Sequence, residues 1–505
     1  MTLTRRVAAR IADGLDDRFA LAGTARRQVS HVFPKHHSFF WGELALYSFV
    51  VLLLSGTFLA LFFVPDTADV VYSGPYEPAR GLHMSRAYES ALQISFEVRG
   101  GLFVRQIHHW SALLFVASIV LHMFRNFFTG AFRRPRELTW LGGVALLLLA
   151  IFEGYSGYSQ LDDLLSGLGV RIFSGLLLSV PVVGTWLHWA VFGGEFDGQI
   201  WISRLFLLHV FLVPGLLVAL IALHLGLVWY QKHTHFPGPG AAETNVVGER
   251  TAPGFGTRSA ANGLCVGGVI VALAGLFQIN PIYLWGPYSP SAASLGVQPD
   301  WYAGFLIGGL RLFPRWDIHL GIYTVNAPFW MGIVMPLVLF GLLGAYPWLE
   351  RWWTGDRRHH QVLQRPRDNA GRTAVGAMGI AFYLVLFVSG ASDVIAIAFD
   401  VPFEVLVWAG RIGLIVLPPI AFVVTRRVCL GLQRSDRDAL ERGVRTGLLE
   451  ARPDGTYVEL RQPPGGVDHA GRPASLRYGG ARVSRTVRVD DESVGAPDEP
   501  PASEI

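Results

Sequence analysis

Four histidines lie inside two apolar stretches of this 505-residue sequence, at spacings that could hold two metal centres. His108 and His122 are fourteen residues apart, and His209 and His224 are fifteen apart. Fourteen residues make just under four α-helical turns, so these imidazoles share one face within about 40° and lie about 21 Å apart along the axis. Two imidazoles can hold haem iron as an electron carrier with no open position. The spacing therefore favours two stacked bis-histidine haems.

Two arginines flank the first histidine pair on the same helix face. Arg105 lies one turn before His108, and Arg125 lies one turn after His122. Each guanidinium could bind a haem propionate, or could instead extend to the membrane interface. The neighbouring pair His109 and Met123 has the same fourteen-residue spacing. Spacing alone therefore leaves a His/Met ligand set open.

Glycines in the adjacent apolar stretches repeat the fourteen-residue spacing. Gly42 and Gly56 form one pair, and Gly143 and Gly157 form another. A missing side chain would let a porphyrin edge approach the backbone, and close packing of two helices would explain the glycines equally well.

The composition is that of an integral membrane protein. Apolar residues make up 51% of the chain and charged residues only 16%, against about a quarter charged in soluble proteins. Cys265 and Cys429 belong to no CxxC or CxxCH motif, so neither a covalently bound haem c nor a disulfide framework is indicated. The net charge of +4 does not indicate a nucleic-acid-binding protein. The first forty residues contain no removable signal peptide pattern.

Hydropathy predicts an all-α fold with eight transmembrane helices. The expected spans are 41–64, 104–127, 138–158, 201–230, 261–280, 325–348, 373–392 and 403–425. The apolar loop 165–192 is interrupted by Gly, Ser and Pro181. It therefore predicts shallow helices on the membrane surface rather than a ninth span.

Basic residues determine the orientation of the spans. Arginine and lysine cluster before the first span and after the second, sixth and eighth, so these segments face the cytoplasm and both termini lie inside. The second and fourth spans then both run from outside to inside. This direction pairs His108 with His209 near the outer surface and His122 with His224 near the inner surface.

The predicted organisation has five parts. Residues 1–40 form a cytoplasmic N-terminal segment, 41–232 a four-helix di-haem bundle, 233–260 a cytoplasmic linker, 261–425 a second four-helix membrane domain, and 426–505 a cytoplasmic tail. In the tail, Ser435 and Asp438 resemble a capping box that opens a short helix, and a hairpin is expected about Pro453–Gly455. Beyond about residue 465 the composition predicts disorder.

The histidine pairs, Arg105, the glycine pairs and the tetrapeptide PDWY at 299–302 together resemble cytochrome b, the membrane subunit of quinol:cytochrome c oxidoreductases. The likeness covers nearly all of residues 30–425. Stretches such as HHSFFWGELALYSF, LFQINPIYLWGPY and QVLQRPRDNAGRTA resemble the actinobacterial branch, and the fourteen-then-fifteen spacing resembles the chloroplast and Gram-positive one. The resemblance favours His108 and His122 as ligands over His109 and Met123.

The resemblance implies that PDWY lines an outer quinol-oxidising site. Asp300 stands where most family members have glutamate, and the loop follows the fifth span beside the outer histidine pair. A carboxylate there can accept a quinol proton, while Trp301 and Tyr302 can wall the ring pocket and Tyr302 can donate a hydrogen bond. The loop GYSQLDDLLSG at 157–167 differs from the GYSLPDDLLSG of this branch: it lacks the proline and has Gln160 in the changed region. That departure bears on the shape of the outer pocket.

The resemblance also implies the cofactors and partners. These are two haems b, a low-potential outer one on His108 and His209 and a high-potential inner one on His122 and His224, with menaquinone as the quinone. The implied partners are a Rieske iron–sulfur protein, a c-type cytochrome subunit and an aa3-type oxidase, in a dimeric complex in the cell membrane. The implied activity is proton-translocating quinol:cytochrome c reduction, with electrons also crossing to an inner quinone site.

Four residues lie at the depth of that inner site, although solvated interfacial positions explain most of them equally well: His36, His37, Lys232 and His233. Two other functions remain open on the residues alone. One is a transporter whose histidines relay protons, and the other is the cytochrome b anchor of a dehydrogenase.

Overall fold

The computed structural model describes residues 16–18, 30–195, 198–238, 240–292 and 298–462. Within them, eight helices are long and apolar enough to cross a membrane, which confirms the predicted all-α membrane fold. We label them α1 (His37–Ala60), α2 (Gly101–Thr129), α3 (Glu137–Ser159), α4 (Trp201–Gln231), α5 (Thr251–Leu276), α6 (Ala327–Thr354), α7 (Ala370–Gly390) and α8 (Phe403–Arg442).

Shorter elements connect the spans. The helices are Arg86–Phe96, Leu164–Ser179, Gly184–Phe192, Ile282–Trp285, Gly304–Leu312 and Ser392–Phe399, with 3-10 turns at Glu77–Ala79, Trp301–Ala303 and Pro366–Asp368. The strands are β1 (Val32–Phe33), β2 (Asp69–Val71), β3 (His83–Ser85), β4 (Glu249–Arg250), β5 (Ile318–Leu320), β6 (Tyr323–Val325), β7 (Val444–Ala451) and β8 (Tyr457–Gln462). They form four antiparallel pairs, β1 with β4, β2 with β3, β5 with β6, and β7 with β8.

The first four spans pack as two helix pairs around a shared apolar core. Helix α1 packs against α2, and α4 packs against α3. Phe49, Phe115, Val144 and Leu217, one from each helix, are all buried in this core. Side chains on the facing surfaces of the α1–α2 pair and the α3–α4 pair therefore lie inside a four-helix bundle. The domain boundaries placed on the sequence remain a prediction.

The predicted loop helices are present. Residues 164–179 and 184–192 are helical and belong to none of the eight spans. Ser174 and His188 join these two helices through a hydrogen bond of 2.9 Å between Oγ and Nε2. Val180 and Pro181 separate the helices, because proline provides no backbone N–H to continue the first one.

The fifth span begins earlier than hydropathy predicts. Helix α5 covers Thr251–Leu276 rather than 261–280. Its first turns are rich in Gly, Ser and Ala, which hydropathy scores poorly although they are compatible with a helix between neighbours. It ends before Phe277, whose backbone is extended (φ −130°, ψ 103°). The segment that follows, to Pro281, is therefore outside the helix.

The predicted short helix opening at Ser435 is wrong. Helix α8 continues without interruption to Arg442, so Ser435 lies inside it. Asp438 instead accepts a hydrogen bond of 2.9 Å from Arg461 in β8. The hairpin about Pro453–Gly455 is confirmed, since β7 and β8 pair across it. The predicted disorder beyond residue 465 lies outside the described residues, as do residues 1–15 and 19–29 of the N-terminal segment.

Buried ion pairs explain why α8 extends beyond the apolar stretch. Arg365 is only 1% exposed and donates to Asp368 and to Asp436 of α8, each at 2.8 Å. Gln433 of α8 donates to the carbonyl of Arg367 at 2.6 Å. A buried charge is tolerated only when it is paired and hydrogen-bonded, so these contacts hold the helix extension against the loop that follows α6.

Candidate functional site

The outer histidine pair has the separation expected of two axial ligands on one metal. The rings of His108 and His209 have centroids 6.2 Å apart and planes at 80°. A metal–nitrogen bond of about 2 Å, with the ring centroid about 1 Å beyond the nitrogen, gives roughly 6 Å between centroids across one metal. This pair can therefore hold an iron atom between its rings.

Hydrogen bonds fix the tautomer of both outer histidines. The Nδ1–H group of His209 donates to the carbonyl of Glu153 at 3.0 Å. The Ser55 hydroxyl donates to the Val51 carbonyl at 2.6 Å and so accepts from Nδ1–H of His108 at 3.0 Å. With the proton on Nδ1, the lone pair of each imidazole lies on Nε2, which is how neighbouring groups orient metal-binding histidines.

A π-helical turn reconciles the unequal histidine spacings. Residues Leu208–Leu212 of α4 form this turn, and His209 lies within it. A π-turn accommodates one residue more than an α-turn, so fifteen residues in α4 cover nearly the same rotation as fourteen in α2. His209 and His224 can therefore face the same side.

Each of the four glycines lies against one of the four histidines. A Cβ atom added to Gly56 would lie 3.0 Å from His108, and one added to Gly42 would lie 3.1 Å from His122. A Cβ atom added to Gly157 would lie 2.5 Å from His209, and one added to Gly143 would lie 3.8 Å from His224. The glycines of α1 thus make room for the imidazoles of α2, and those of α3 for the imidazoles of α4.

The inner histidine pair opens into a large cavity. His122 and His224 both line a space of about 1070 Å³ between α1, α2, α3, α4 and α5. The amide nitrogen of Asn126 donates to Nε2 of His122 at 3.0 Å, so this nitrogen is also unprotonated. His36, His37, Lys232 and His233 line the same cavity, in agreement with the depth assigned to them.

Both arginines have buried donors that no described residue satisfies. Arg105 donates from Nη1 to the carbonyl of Asn280 at 3.2 Å, and Arg125 donates from Nη1 to Asn126 Oδ1 at 2.6 Å. Nε and Nη2 of both side chains are buried and have no hydrogen-bond partner among the described residues. A buried guanidinium with free N–H groups requires an anion, and haem propionates have the matching chemistry.

The outer loop brings Asp300 between two side chains. The Tyr302 hydroxyl donates to Oδ2 of Asp300 at 2.9 Å, and Nε2–H of His109 donates to Oδ1 at 3.2 Å. Burial raises the pKa of Tyr302 well above its ordinary value, and the Asp300 charge raises it further. Tyr302 therefore remains a hydrogen-bond donor. Gly154 of α3 has no side chain, and this leaves space for the Tyr302 hydroxyl.

A small pocket lies next to Asp300. Its volume is about 230 Å³, and it is lined by Tyr158, Leu165, Asn280, Pro281, Trp285, Gln298 and Asp300. Gln160, in the loop that differs from the actinobacterial branch, is 8% exposed and is not among the described residues that line this pocket. Asp163 is fully buried, begins the helix Leu164–Ser179 and accepts from Ser166 and Leu165. Burial raises the pKa of Asp163 to about 6.

Three functional candidates were missed at the level of sequence. His109 was considered only as an alternative metal ligand, whereas it faces Asp300. Glu153 lies inside α3, with Oε1 3.2 Å from Nδ1 of His209. Glu43 lies inside α1 and lines the inner cavity. The signal was available for the last two, because a carboxylate within a membrane span is rare and marks functional positions.

Comparisons with known proteins agree with this geometry. A family model described as cytochrome b (N-terminal)/b6/petB matches residues 113–287. The chain is 56% identical over 480 residues to the cytochrome bc1 complex cytochrome b subunit of Mycobacterium tuberculosis, covering 95% of this chain and 87% of that protein. The subunit of the same name from Corynebacterium efficiens is 52% identical over 477 residues, covering 94% and 88%.

A more distant subunit of that name, from Streptomyces coelicolor, is 44% identical over 458 residues, covering 90% of this chain and 83% of that protein. A solved structure titled hyperthermophilic respiratory Complex III shares the fold, with a TM-score of 0.58 and 23% identity over 81% of this chain and 98% of that one. An eight-span helical protein with these relatives belongs to the class of membrane cytochromes. The chain is a member of the family of cytochrome b subunits of cytochrome bc1 complexes.

Proposed function

We propose that this chain is the di-haem cytochrome b subunit of a proton-translocating quinol:cytochrome c oxidoreductase. It oxidises quinol at an outer site and reduces quinone at an inner site. The observation that carries the proposal is the outer histidine pair, whose ring separation of 6.2 Å and Nδ1 hydrogen bonds suit two Nε2 ligands on one iron. His122 and His224 hold the second haem in the inner cavity.

The haems, when bound, carry single electrons from the outer site to the inner one. The chain's residues position and charge-balance them. Arg105 and Arg125 supply the free N–H groups for propionates at the outer and inner ends. Gly56 and Gly157 leave room for the outer imidazoles, and Gly42 and Gly143 for the inner ones.

At the outer site, Asp300 accepts a proton from quinol. Its oxygens are held by Tyr302 and His109, and the adjacent pocket admits the ring. Removal of the proton favours oxidation of the quinol. A Rieske partner would take one electron, and a haem held by His108 and His209 would take the other. Protons released outside and taken up inside contribute to the proton motive force.

We propose a Rieske iron–sulfur protein and a c-type cytochrome as partners, because the relatives are called subunits of a cytochrome bc1 complex. We further propose an aa3-type oxidase in a larger assembly, a homodimeric complex, and menaquinone as the native quinone, on the resemblance of the sequence to the actinobacterial branch. The chain crosses the cell membrane repeatedly, and the distribution of basic residues supports both termini on the cytoplasmic side.

A redox titration of the purified complex, followed in the visible α-band, tests the proposal. We expect two b-type centres for each copy of this chain, both reduced by quinol. His209→Leu should remove the outer centre and leave the inner one partly assembled, whereas a spectrum that keeps both would refute the ligand assignment. A histidine-relay transporter would give no b-type absorption. A dehydrogenase anchor would keep the haems but would not depend on Asp300.

A further inference from the structure

The inner cavity extends beyond the histidine pair. Its wall, around a volume of about 1070 Å³, continues from His122 and His224 to the first turns of α5. Phe33, Phe255 and Trp229 contribute aromatic side chains to it. Aromatic walls of this kind suit a planar ring such as that of a quinone.

One carboxylate lines this cavity. Glu43 is the only Asp or Glu among the described residues of its wall, and it follows Gly42, which lies against His122. The other titratable or charged groups of the wall are basic or phenolic: Lys35, His36, His37, Tyr47, Arg125, Arg136, His224, Lys232, His233 and Arg258, together with His122. A carboxylate within a membrane span is rare and marks a functional position.

Neutral groups from two helices hold the Glu43 carboxylate. Its Oε2 accepts from Ser259 Oγ at 3.1 Å and from Asn262 Nδ2 at 3.3 Å, and the Tyr47 hydroxyl lies 3.4 Å away. The one hydroxyl hydrogen of Tyr47 is donated to the backbone carbonyl of Ser259 at 2.6 Å, which fixes the phenol beside the carboxylate. These are long contacts to neutral partners, so the carboxyl group is not locked in an ion pair.

We propose that Glu43 delivers protons to quinone at the inner site, positioned by Tyr47, Ser259 and Asn262. This inference rests on the proposed function. Reduction of quinone takes two electrons and two protons, and a haem held by His122 and His224 would supply the electrons one at a time. For each proton, the O–H bond of the Glu43 carboxylic acid breaks and an O–H bond forms on a quinone oxygen. The Glu43 carboxylate then regains a proton from water on the inner side, so both protons originate there.

Glu43→Gln in the complete complex tests this assignment, with Glu43→Asp as the conservative variant. In a quinol pulse followed in the visible α-band, we expect the b haems to be reduced as fast as in the parent. Their reoxidation by quinone should slow at least about tenfold in Glu43→Gln and recover substantially in Glu43→Asp. Glu441→Gln, which alters an exposed carboxylate near the end of α8, should behave as the parent.

A second readout separates proton delivery from a purely structural contact between α1 and α5. The infrared difference spectrum between oxidised and reduced complex should contain a carboxylic C=O band that is absent in Glu43→Gln. Parent-like reoxidation, or an unchanged band, would overturn the role of Glu43 while leaving the proposed function intact. Failure of quinol to reduce the parent's b haems would instead contradict the proposed function.

If Glu43→Gln does not assemble, Asn262→Leu provides the same test, since it removes one donor to the carboxylate without removing the acid. Slower reoxidation with both haems present supports the assignment, and a parent-like rate counts against it.

Discussion

Nε2 of His109 lies 3.2 Å from Oδ1 of Asp300, so the residue after a proposed haem ligand contacts the proposed quinol base. The second oxygen, Oδ2, accepts from Tyr302 at 2.9 Å. Both oxygens of the carboxylate therefore have donors. The helix that carries His108 and the outer loop are joined at one side chain, and each oxygen of Asp300 keeps a second lone pair that can accept a proton from quinol.

Replacing Asp300 by Asn should slow quinol oxidation and leave both haems in place. Asparagine preserves the size of the side chain but cannot accept the proton, and a positioned base contributes about 10²–10⁴-fold to a rate. We expect at least a tenfold loss in quinol:cytochrome c reductase activity of the purified complex, with an unchanged reduced-minus-oxidised spectrum. Glu404→Gln, at an exposed carboxylate in the first turn of α8, is the control. Unchanged turnover in Asp300→Asn would remove the base from the mechanism.

Replacing Gly157 by Val should remove the outer haem selectively. A Cβ atom at Gly157 would lie 2.5 Å from His209, which cannot move without losing its hydrogen bond to Glu153. We expect about half of the b-type absorption to be lost, with the inner centre still titrating. Gly226→Val, on α4 where an added Cβ atom meets no atom within 4 Å, should retain both centres. Two intact centres in Gly157→Val would show that the glycine does not position the ligand.

The number of spans and the contact between His108 and His209 were predictable from the sequence. Hydropathy is a local property, so eight apolar runs sufficed to predict eight spans. The matched spacings predicted that His108 would lie beside His209. Contacts between distant segments were not predictable in this way. His109 and Asp300 are 191 positions apart in the sequence, and no pattern in the sequence pairs these two side chains.

The errors at the helix ends have the same origin. Ser435 and Asp438 satisfy the local rule for a helix start, yet buried Arg365 pairs with Asp436 and holds α8 as one helix through this point. A tertiary ion pair thus outweighed a local capping preference. The start of α5 was missed because its Gly, Ser and Ala residues are weakly apolar, although neighbouring helices accommodate them.

The loop that follows α6 should detach at low pH. Burial alone would raise the pKa of Glu243, but hydrogen bonds from His360 and from the backbone N–H groups of Val362 and Gln361 lower it to about 2. Because the folded pKa lies below the ordinary value of 4.5, this stabilisation is complete above pH 4.5 and is lost as the pH falls towards 2.

Amide hydrogen exchange at Gln361 and Val362, corrected for the intrinsic rate, measures this directly, since both N–H groups donate to Glu243 at 2.6 and 2.9 Å. Protection should fall between pH 4.5 and 2 in the parent. It should be reduced already at pH 7 in Glu243→Gln, whose side chain is a weaker acceptor. Protection that does not change with pH in the parent would contradict the role of the carboxylate.

Deleting Phe211 from the π-turn of α4 should leave both haems bound. The side chain is 73% exposed. Removal of this residue turns the π-turn into an α-turn and reduces the His209–His224 spacing to the fourteen residues of α2.

Deleting Leu216 also reduces the spacing to fourteen, but it removes a residue from regular α-helix and rotates the remainder of α4 by about 100°. His224 would then leave the cavity. Visible spectra of the two complexes should therefore differ, with two b-type centres after the first deletion and a loss of the inner one after the second. Equal spectra would mean that the π-turn does not set the register of the two histidines.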